Sequence, residues 1–395
     1  MAAFLIAPLY ILVNWYILRL LLRWAGSCCV LFQSTAAQAI LVILYLFCAS
    51  SLLTGFLIRR PRALHRLLKN TGDYFLGALP YILLTIFPVN FAGYILKNVY
   101  PLSASELHIL FVLAGFICLS LILFISLYGA IHVRTIRVSP YEVHITKKTE
   151  DMTSLKIVLL ADLHLGSQNS RRFLRRLVKL VNAQNPDLIC IAGDLFDNDY
   201  DAIRTPAQLS SIMRELRAKY GVYACWGNHD LNEPILAGFT FHRRKKGSAD
   251  PRMEEWLKAS GIRLLEDEVC LINGKFYLIG RSDPERAVKL GVHRPSPASL
   301  VQNVDKSKPI IFLDHQPKEL PEIALAGVDL DLSGHTHNGQ LFPGNLLLRF
   351  FWKNPFGHLY QGSLHSIVTS GAGVWGPQMR VGTNSEICTI TVHFN

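Results

Sequence analysis

Apolar positions follow two regimes along this chain. Four long apolar stretches come first, Phe4 to Leu22, Ala36 to Ile58, Tyr74 to Leu96 and Leu107 to Ile131. Each approaches or exceeds the roughly 20 residues that a helix needs to cross a bilayer. The second and fourth contain no charge, whereas the first holds Asn14 and Arg19 and the third holds Pro80, Pro88 and Asn90. The first stretch lacks the basic start and small-residue cleavage site of a signal peptide. Four transmembrane helices are therefore expected in an all-α membrane domain at residues 1–131, then a linker at 132–153 and a second domain at 154–395.

In that second domain short apolar runs alternate with helical spacing, the grammar of layered strands and helices. Strands are expected at Leu155 to Leu160, Asp187 to Ala192, Gly221 to Trp226, Val269 to Ile272 and Phe276 to Ile279. Others are expected at Pro309 to Leu313, Val328 to Leu332, Ile367 to Ser370 and Ile387 to His393. Phe173, Leu174, Leu177, Val178 and Val181 recur at helical spacing among Arg171, Arg172, Arg175, Arg176 and Lys179. That basic set reads as a solvated helix face or as a surface for anionic lipid. Helices also suit Pro206 to Lys219 and Arg252 to Ala259.

Five of the apolar runs end alike. Asp162 and His164 follow the first, Asp194 and Asp197 the second, and Asn228 and His229 the third. His315 follows the run ending at Leu313, and His335 and His337 follow the run ending at Leu332. An H-x-H pair alone is weak evidence. In sheets flanked by helices, however, functional groups gather outside the strand ends, so five polar ends can meet at one site. Imidazoles and carboxylates suit borderline metals such as Mn, Fe, Co, Ni or Zn, with manganese favoured here. Seven such groups hold two divalent ions if one carboxylate bridges them. A metal pair about 3.5–4 Å apart clamps the oxygens of a phosphoryl centre and lowers the pKa of bound water to about 7. The nucleophile then needs no Ser or Cys. His242, His293, His358 and His365 stand outside these motifs and read as structural.

Composition narrows the setting. Half the residues are apolar and 17% are charged. The net charge of +11 divides into +6 before residue 132 and +5 after it. That is too diffuse for a nucleic-acid face, so no nucleic-acid polymer is expected as partner. The eight cysteines form no C-x-x-C pair and read as buried hydrophobes in a reducing compartment. Five basic residues in the loop Arg59 to Lys69, and Arg134, Arg137, Lys147 and Lys148 beyond the fourth stretch, give the orientation. By the positive-inside rule they assign this loop and the second domain to the cytoplasm, leaving Arg19 and Arg23 on the far side.

The ordered motifs A-D-L-H, G-D-L-F-D, G-N-H-D, D-H and G-H-T-H strongly resemble the calcineurin-like metallophosphoesterase superfamily, whose pattern is D-x-H, G-D-x-x-D, G-N-H-(D/E), H and G-H-x-H. Leu313 and Asp314 stand where G-H is common before the fourth-motif His. The tail motifs Gly334 to Pro343, Asn354 to Phe356, Leu359 to Gln361 and Gly376 to Gly382 resemble the transmembrane type of that superfamily. The resemblance implies a four-layer α/β/β/α sandwich behind the membrane domain. It also implies that Asp162, His164 and His337 hold one metal, that Asn228, His315 and His335 hold the other, and that Asp194 bridges. On the same basis His229 protonates the leaving group, Asp197 orients His229, and Arg380 contacts phosphate.

Two stretches bear on substrate. Leu341 to Trp352 (L-F-P-G-N-L-L-L-R-F-F-W) suits either core packing or a membrane-facing lip, and Phe241 to Lys246 suits a solvated loop or a headgroup contact. The leading expectation is hydrolysis of a phosphodiester or pyrophosphate in a membrane lipid or lipid-linked substrate. A soluble nucleotide or cyclic-nucleotide substrate, with the spans as a tether, is the alternative. A non-catalytic metal-binding or regulatory module is a third reading, against which the intact ligand set weighs.

Overall fold

The computed structural model describes residues 2–58, 60–149, 151–166, 171–233, 235–236, 239–240 and 248–395. The basic segment Phe241 to Lys246, and with it His242, lies outside the described residues. The chain divides into two compact units, one of residues 1–131 with 236–239 and 376–379, the other of residues 132–235, 240–375 and 380–395.

Helices α1 (Ala2–Cys28), α2 (Thr35–Leu57), α3 (Arg62–Val99) and α4 (Ala104–His132) form the N-terminal region. Three of them, α2, α3 and α4, are long and apolar enough to cross a membrane. The segment Arg59 to Lys69, expected as a loop, is mostly helical because α3 begins at Arg62. Arg62, Arg66 and Lys69 fall at i, i+4 and i+7, on one helix face. At 1.5 Å per residue α3 is about 57 Å long, nearly twice a hydrocarbon core of about 30 Å. A helix of this length carries its basic first turns into the headgroups and beyond. Two polar pairs link the helices: the Tyr45 hydroxyl donates to Asn14 Oδ1 at 2.8 Å, and Asn90 Nδ2 donates to the Tyr16 hydroxyl at 2.7 Å.

The other unit is built on two six-stranded sheets. The first contains β1 (Ile136–Ile145), β2 (Ser154–Leu160), β3 (Leu188–Ala192) and β4 (Val222–Cys225). After a two-residue pair, β5 (Ile235–Leu236) and β6 (Phe239–Thr240), the chain adds β7 (Arg263–Leu264) to that sheet. The second sheet takes β8 (Glu268–Ile272), β9 (Phe276–Gly280), β10 (Ile310–Leu313), β11 (Leu330–Ser333), β12 (Gly357–Gln361) and β13 (Leu364–Val368). The last strand, β14 (Ser385–Phe394), returns to the first sheet. The orders are β1-β14-β2-β3-β4-β7 and β12-β13-β11-β10-β9-β8.

Side-chain alternation gives each sheet two buried faces, which is why its strands read as unbroken apolar runs. From β2, Val158 and Leu160 point outward to helices α5 (Arg171–Asn182), α6 (Pro206–Met213) and α7 (Pro251–Ala259). Ile157 and Leu159 point inward and meet Ile311, Leu313, Leu330 and Ile367 of the second sheet. The far face of that sheet packs Ile310 and Phe312 against Leu320 and Ile323. The helices after β9 are α8 (Pro284–Leu290), α9 (Pro297–Leu300) and α10 (Leu320–Leu325), with α11 (Gly344–Leu347) after β11. The result is an α/β sandwich of the layered kind expected.

Three expectations differ from what forms. The segment 132–153 is no simple linker, since ten of its residues are the edge strand β1, in parallel register with β14 from Ile136↔Ser385 to Ile145↔Phe394. Pro140 is tolerated because β1 lies at the sheet edge. Helix α6 stops at Met213, short of Lys219, and β13 starts at Leu364 so that residues 369–371 turn out of the sheet. His358 and His365 keep a structural reading: His358 Nε2 lies 3.0 Å from His365 Nδ1, and His365 Nε2 lies 3.1 Å from the His144 carbonyl.

Strands β2, β3 and β4 run parallel, as do β9, β10, β11 and β13. Their C-terminal ends therefore share one edge of each sheet, and the five polar segments leave from there.

Candidate metal centre

Each expected ligand sits just past a strand end, and five occupy the left-handed region: Asp162 (φ 57°), His164 (45°), Asp194 (51°), His335 (72°) and His337 (50°). For non-glycine residues such backbone costs on the order of 1–3 kcal/mol each and persists only where the surroundings over-determine it. The kinks swing consecutive side chains away from strand alternation and toward one point.

Three groups of candidate ligand atoms result: Asp162, His164 and His337; His164, Asp197 and His229, which shares His164 with the first; and Asp194, His315 and His335, the atoms of each group within 4.8 Å of one another. In the first, His164 Nε2 and His337 Nε2 are 3.1 Å apart and Asp162 Oδ1 is 3.8 Å from His337 Nε2. In the third, Asn228 Oδ1 lies 3.0 Å from both His315 Nε2 and His335 Nδ1. Asp194 Oδ2 faces the first and third groups, 3.2 Å from His315 Nε2 and 3.8 Å from His164 Nε2. Asp162, Asp194 and His315 are almost wholly buried.

Surrounding bonds orient the ligands. His315 Nδ1 lies 2.8 Å from the Ala192 carbonyl, so that nitrogen carries the proton and donates, and Nε2 turns to the cluster. The Asp162 carboxylate accepts from the His335 amide at 3.1 Å, and Asp194 Oδ1 accepts from the His229 amide at 2.8 Å. Gly227 is required by close approach: a Cβ there would stand 2.1 Å from Asp194 Oδ1.

The electrostatics fit a cation. Burial drives His164 down to about 4 and holds His335 and His337 well below the usual imidazole range, leaving their lone pairs free for a metal. Burial raises Asp162 to about 7. Burial opposes charge on His315 and Asp194 too, but their mutual attraction wins, raising the His315 pKa and lowering that of Asp194. Lone-pair donors thus converge on two adjacent points with few protons to share among them. Neutral imidazoles, carboxylates and an amide oxygen are a fitting donor set for two borderline divalent ions.

His229 lies at the mouth, its ring 5.1 Å from that of His164 and 6.0 Å from that of Trp375. Its Nδ1 meets Asn198 Oδ1, a partner that sequence reasoning missed although Asn198 directly follows Asp197. Asp197 stands within the His164–His229 group, with Oδ1 3.8 Å from His164 Nδ1. Asp230 was also missed as a functional position. Its buried carboxylate accepts from the Gly227 and Phe196 amides, each at 2.8 Å, tying the third motif to the second. Asp314, where this chain departs from the superfamily pattern, is buried against Arg281 at 3.4 Å and Arg294 at 3.0 Å.

Arg380 requires a correction. Expected to touch phosphate, it is fully buried (0% exposed). Its Nη1 donates to the His337 carbonyl at 3.0 Å, and Nη2 donates to the carbonyls of Ser370 at 2.5 Å and Gly373 at 2.9 Å. Burial lowers its pKa to about 10. The loop after β13 turns back over Asp162 so tightly that a Cβ on Gly371 would stand 2.7 Å from Asp162 Cβ. Arg380 clasps that loop to the His337 segment, so no face is left for substrate.

Two groups of buried histidine and aspartate side chains, with Asp194 facing both and His229 at the rim, make a candidate dinuclear metal centre. Comparison with known proteins agrees. A family model described as calcineurin-like phosphoesterase matches residues 155–339. An uncharacterized metallophosphoesterase of Campylobacter jejuni is 30% identical over 296 residues, covering 72% of this chain and 70% of that protein. A transmembrane protein with metallophosphoesterase domain from Danio rerio is 32% identical over 280 residues, covering 68% of this chain. The chain spans 60% of that relative's length. A UDP-2,3-diacylglucosamine pyrophosphatase of Chlamydia trachomatis is 22% identical over 239 residues, covering 52% of this chain and 70% of that protein. The chain belongs to the calcineurin-like metallophosphoesterases, and its apolar helices make it a membrane-associated member.

Two outcomes follow from these geometries. Because Asp162 and His315 have raised pKa values in the metal-free protein, protons compete with metal below about pH 7. Metal affinity should therefore fall as pH drops from 8 to 6, with proton release visible as a buffer-dependent binding enthalpy; pH-independent affinity would contradict this. Arg380→Met should lower stability by on the order of 3 kcal/mol, since several buried carbonyls lose their donor. Thermal unfolding of the full chain reads the loss, and an unchanged Tm with a raised KM would return Arg380 to a substrate-binding role.

Proposed function

We propose that this protein hydrolyses a phosphodiester or pyrophosphate of a lipid or lipid-linked substrate at the cytoplasmic face of a membrane. The observation that carries the hydrolytic part is the convergence of Asp162, His164, His337, Asp194, His315 and His335 at adjacent strand ends. On this reading Asp162, His164 and His337 hold one metal, Asn228, His315 and His335 hold the second, and Asp194 bridges. Manganese is the favoured ion for a set with one amide and several carboxylate oxygens. Divalent ions held there would supply charge neutralisation at the phosphoryl group and acidification of a water.

The chain's own residues complete the site. His229 protonates the departing oxygen, with Asn198 Oδ1 accepting from its Nδ1 so that Nε2 faces the substrate. Asp197, grouped with His164 and His229, helps orient the His229 ring. Asp230 and Gly227 fix the approach of Asn228 and His229 to Asp194, and Arg380 fixes His337.

The lipid part rests on other support. Three helices suit a bilayer, and α1 supplies a fourth crossing on this reading, its buried Asn14 satisfied by Tyr45 of α2. Such polar pairing is how a span carries an amide in hydrocarbon. The division into a membrane domain at 1–131 and a phosphoesterase domain from about 132 goes with it. The Chlamydia trachomatis relative, by its name, acts on a pyrophosphate of an acylated sugar nucleotide. The basic residues at Arg134, Arg137, Lys147 and Lys148 favour the cytoplasm.

His229→Ala should keep its metals and lose about 10²–10⁴-fold in turnover on poor leaving groups, with a smaller loss on activated aryl phosphates. A variant that sheds metal, or loses both substrates equally, would contradict the assigned acid. A cysteine placed at exposed Lys148 should resist an impermeant thiol reagent in intact cells and react after lysis. Labelling above the parent chain without lysis would put the domain outside.

A further inference from the structure

The stretch Leu341 to Trp352 is not core. Leu346 (49% exposed), Leu347 (54%), Phe350 (82%) and Phe351 (80%) stand in solvent beside the site. They fall at i, i+1, i+4 and i+5 along α11 and the turn after it, so they share one face. Among the described residues of this unit, no other six positions carry four large exposed apolar side chains. The face is rimmed by cations: Arg349 and Lys353 are exposed, and Lys318 Nζ sits 5.3 Å from the Trp352 ring. Of the acids near this rim, Glu319 is engaged by Arg281 at 2.5 Å and by Arg294 at 2.7 Å, and Glu285 lies 3.8 Å from Lys318 Nζ at the exposed surface. Between the lip and Lys318 runs a groove of 310 Å³ lined by Pro317, Pro321, Phe351 and Trp352 among others.

Two links connect this face to its surroundings. Trp352 packs edge-on against the ring of His335 at 5.2 Å, so the lip and the metal centre share a wall. The chain leaves the last apolar helix at His132, whose Nε2 lies 3.2 Å from the Thr383 carbonyl. The Thr383 hydroxyl donates to the Gln340 carbonyl at 2.7 Å, one residue before the lip begins. Topology agrees: β1 is parallel to β14 and β14 antiparallel to β2. The start of β1 at Ile136, four residues after His132, is therefore at the sheet edge where the candidate ligands leave β2. The first residues of this unit and the metal centre therefore share one edge of the sandwich.

We infer that the turn Gly344–Phe351 is an interfacial anchor, with Leu346, Leu347, Phe350 and Phe351 entering the headgroup–acyl boundary of an anionic bilayer. Arg349, Lys353 and Lys318 meet lipid phosphates, and Trp352 lies at the boundary where tryptophan is enriched. The metal centre is then held at headgroup level and a phosphoester reaches it without leaving the leaflet. This deepens the lipid-phosphohydrolase reading and rests on it for purpose, though not for the anchoring itself.

The test uses the full chain in phosphatidylcholine–phosphatidylserine vesicles with a nitroxide at Phe350→Cys, in a Cys29→Ser background with the parent signal subtracted. Leu325→Cys, 87% exposed at the end of α10 remote from the ligand-bearing strand ends, is the aqueous control. Power saturation should show collisions with oxygen dominating at position 350 and collisions with a water-soluble nickel chelate dominating at 325. Leu347→Cys should behave as position 350 does. Nickel access at 350 equal to that at 325 overturns the anchor. So does shielding from both reagents, which means a protein partner or a second copy covers the lip. Metal-dependent hydrolysis of bis(p-nitrophenyl) phosphate by the same samples reads the catalytic function separately: its absence defeats the phosphohydrolase reading and leaves the depth result standing.

Discussion

Everything in the phosphoesterase unit depends on forcing electron-pair donors together in a place with little water. Imidazole nitrogens 3.1 Å apart, carboxylates buried beside them and an amide oxygen touching two rings crowd more acceptors together than their ring protons can serve, and a cation satisfies the rest. Desolvated carboxylates and facing lone pairs cost free energy in an apolar setting, and left-handed backbone at five ligands adds more. The two packed sheets and their buried helices supply the rigidity that keeps this arrangement from relaxing. Close-packed interiors do not deform continuously, so the ligand cage is preformed by the cores on either side.

The candidate ligand set was legible as a cluster because of where the sheet puts it. Parallel strands buried on both faces are continuous apolar runs, and each run stops where polar residues begin, so Asp162, Asp194, Asn228, His315 and His335 announce themselves. The supporting residues do not. Arg380 looks like a phosphate ligand in one dimension, but its donors serve carbonyls of a loop that only the fold brings near His337. Asn198 is indistinguishable from any polar residue after G-D-x-x-D until the chain folds His229 against it. The strand β1 was hidden because pairing with β14, some 240 residues away, is not encoded in local spacing. The basic start of α3 was read as a loop for the opposite reason: charge marks a membrane boundary, and a helix crosses that boundary without ending.

The membrane character and the catalytic character meet in one stretch of chain. Leu341 to Trp352 begins four residues after His337 and ends on the tryptophan that packs on His335. Its apolar side chains cannot be explained as core, since Phe350 and Phe351 are about four-fifths exposed. A domain tethered by a single helix is already anchored effectively irreversibly, so an apolar rim beside the metal ligands has no use in tethering. Under the anchor proposed above, it would set the position of the site relative to the lipid surface.

The central claim is that one carboxylate, Asp194, joins the two ligand groups into a single dinuclear centre. Metal content of the purified full chain, measured alongside Asp194→Asn, tests it most directly. The account predicts two divalent ions per parent chain and weakened binding of both in the variant, with the remaining ligands in place. Two ions retained at unchanged affinity by Asp194→Asn would show that the groups bind metal independently and would contradict it.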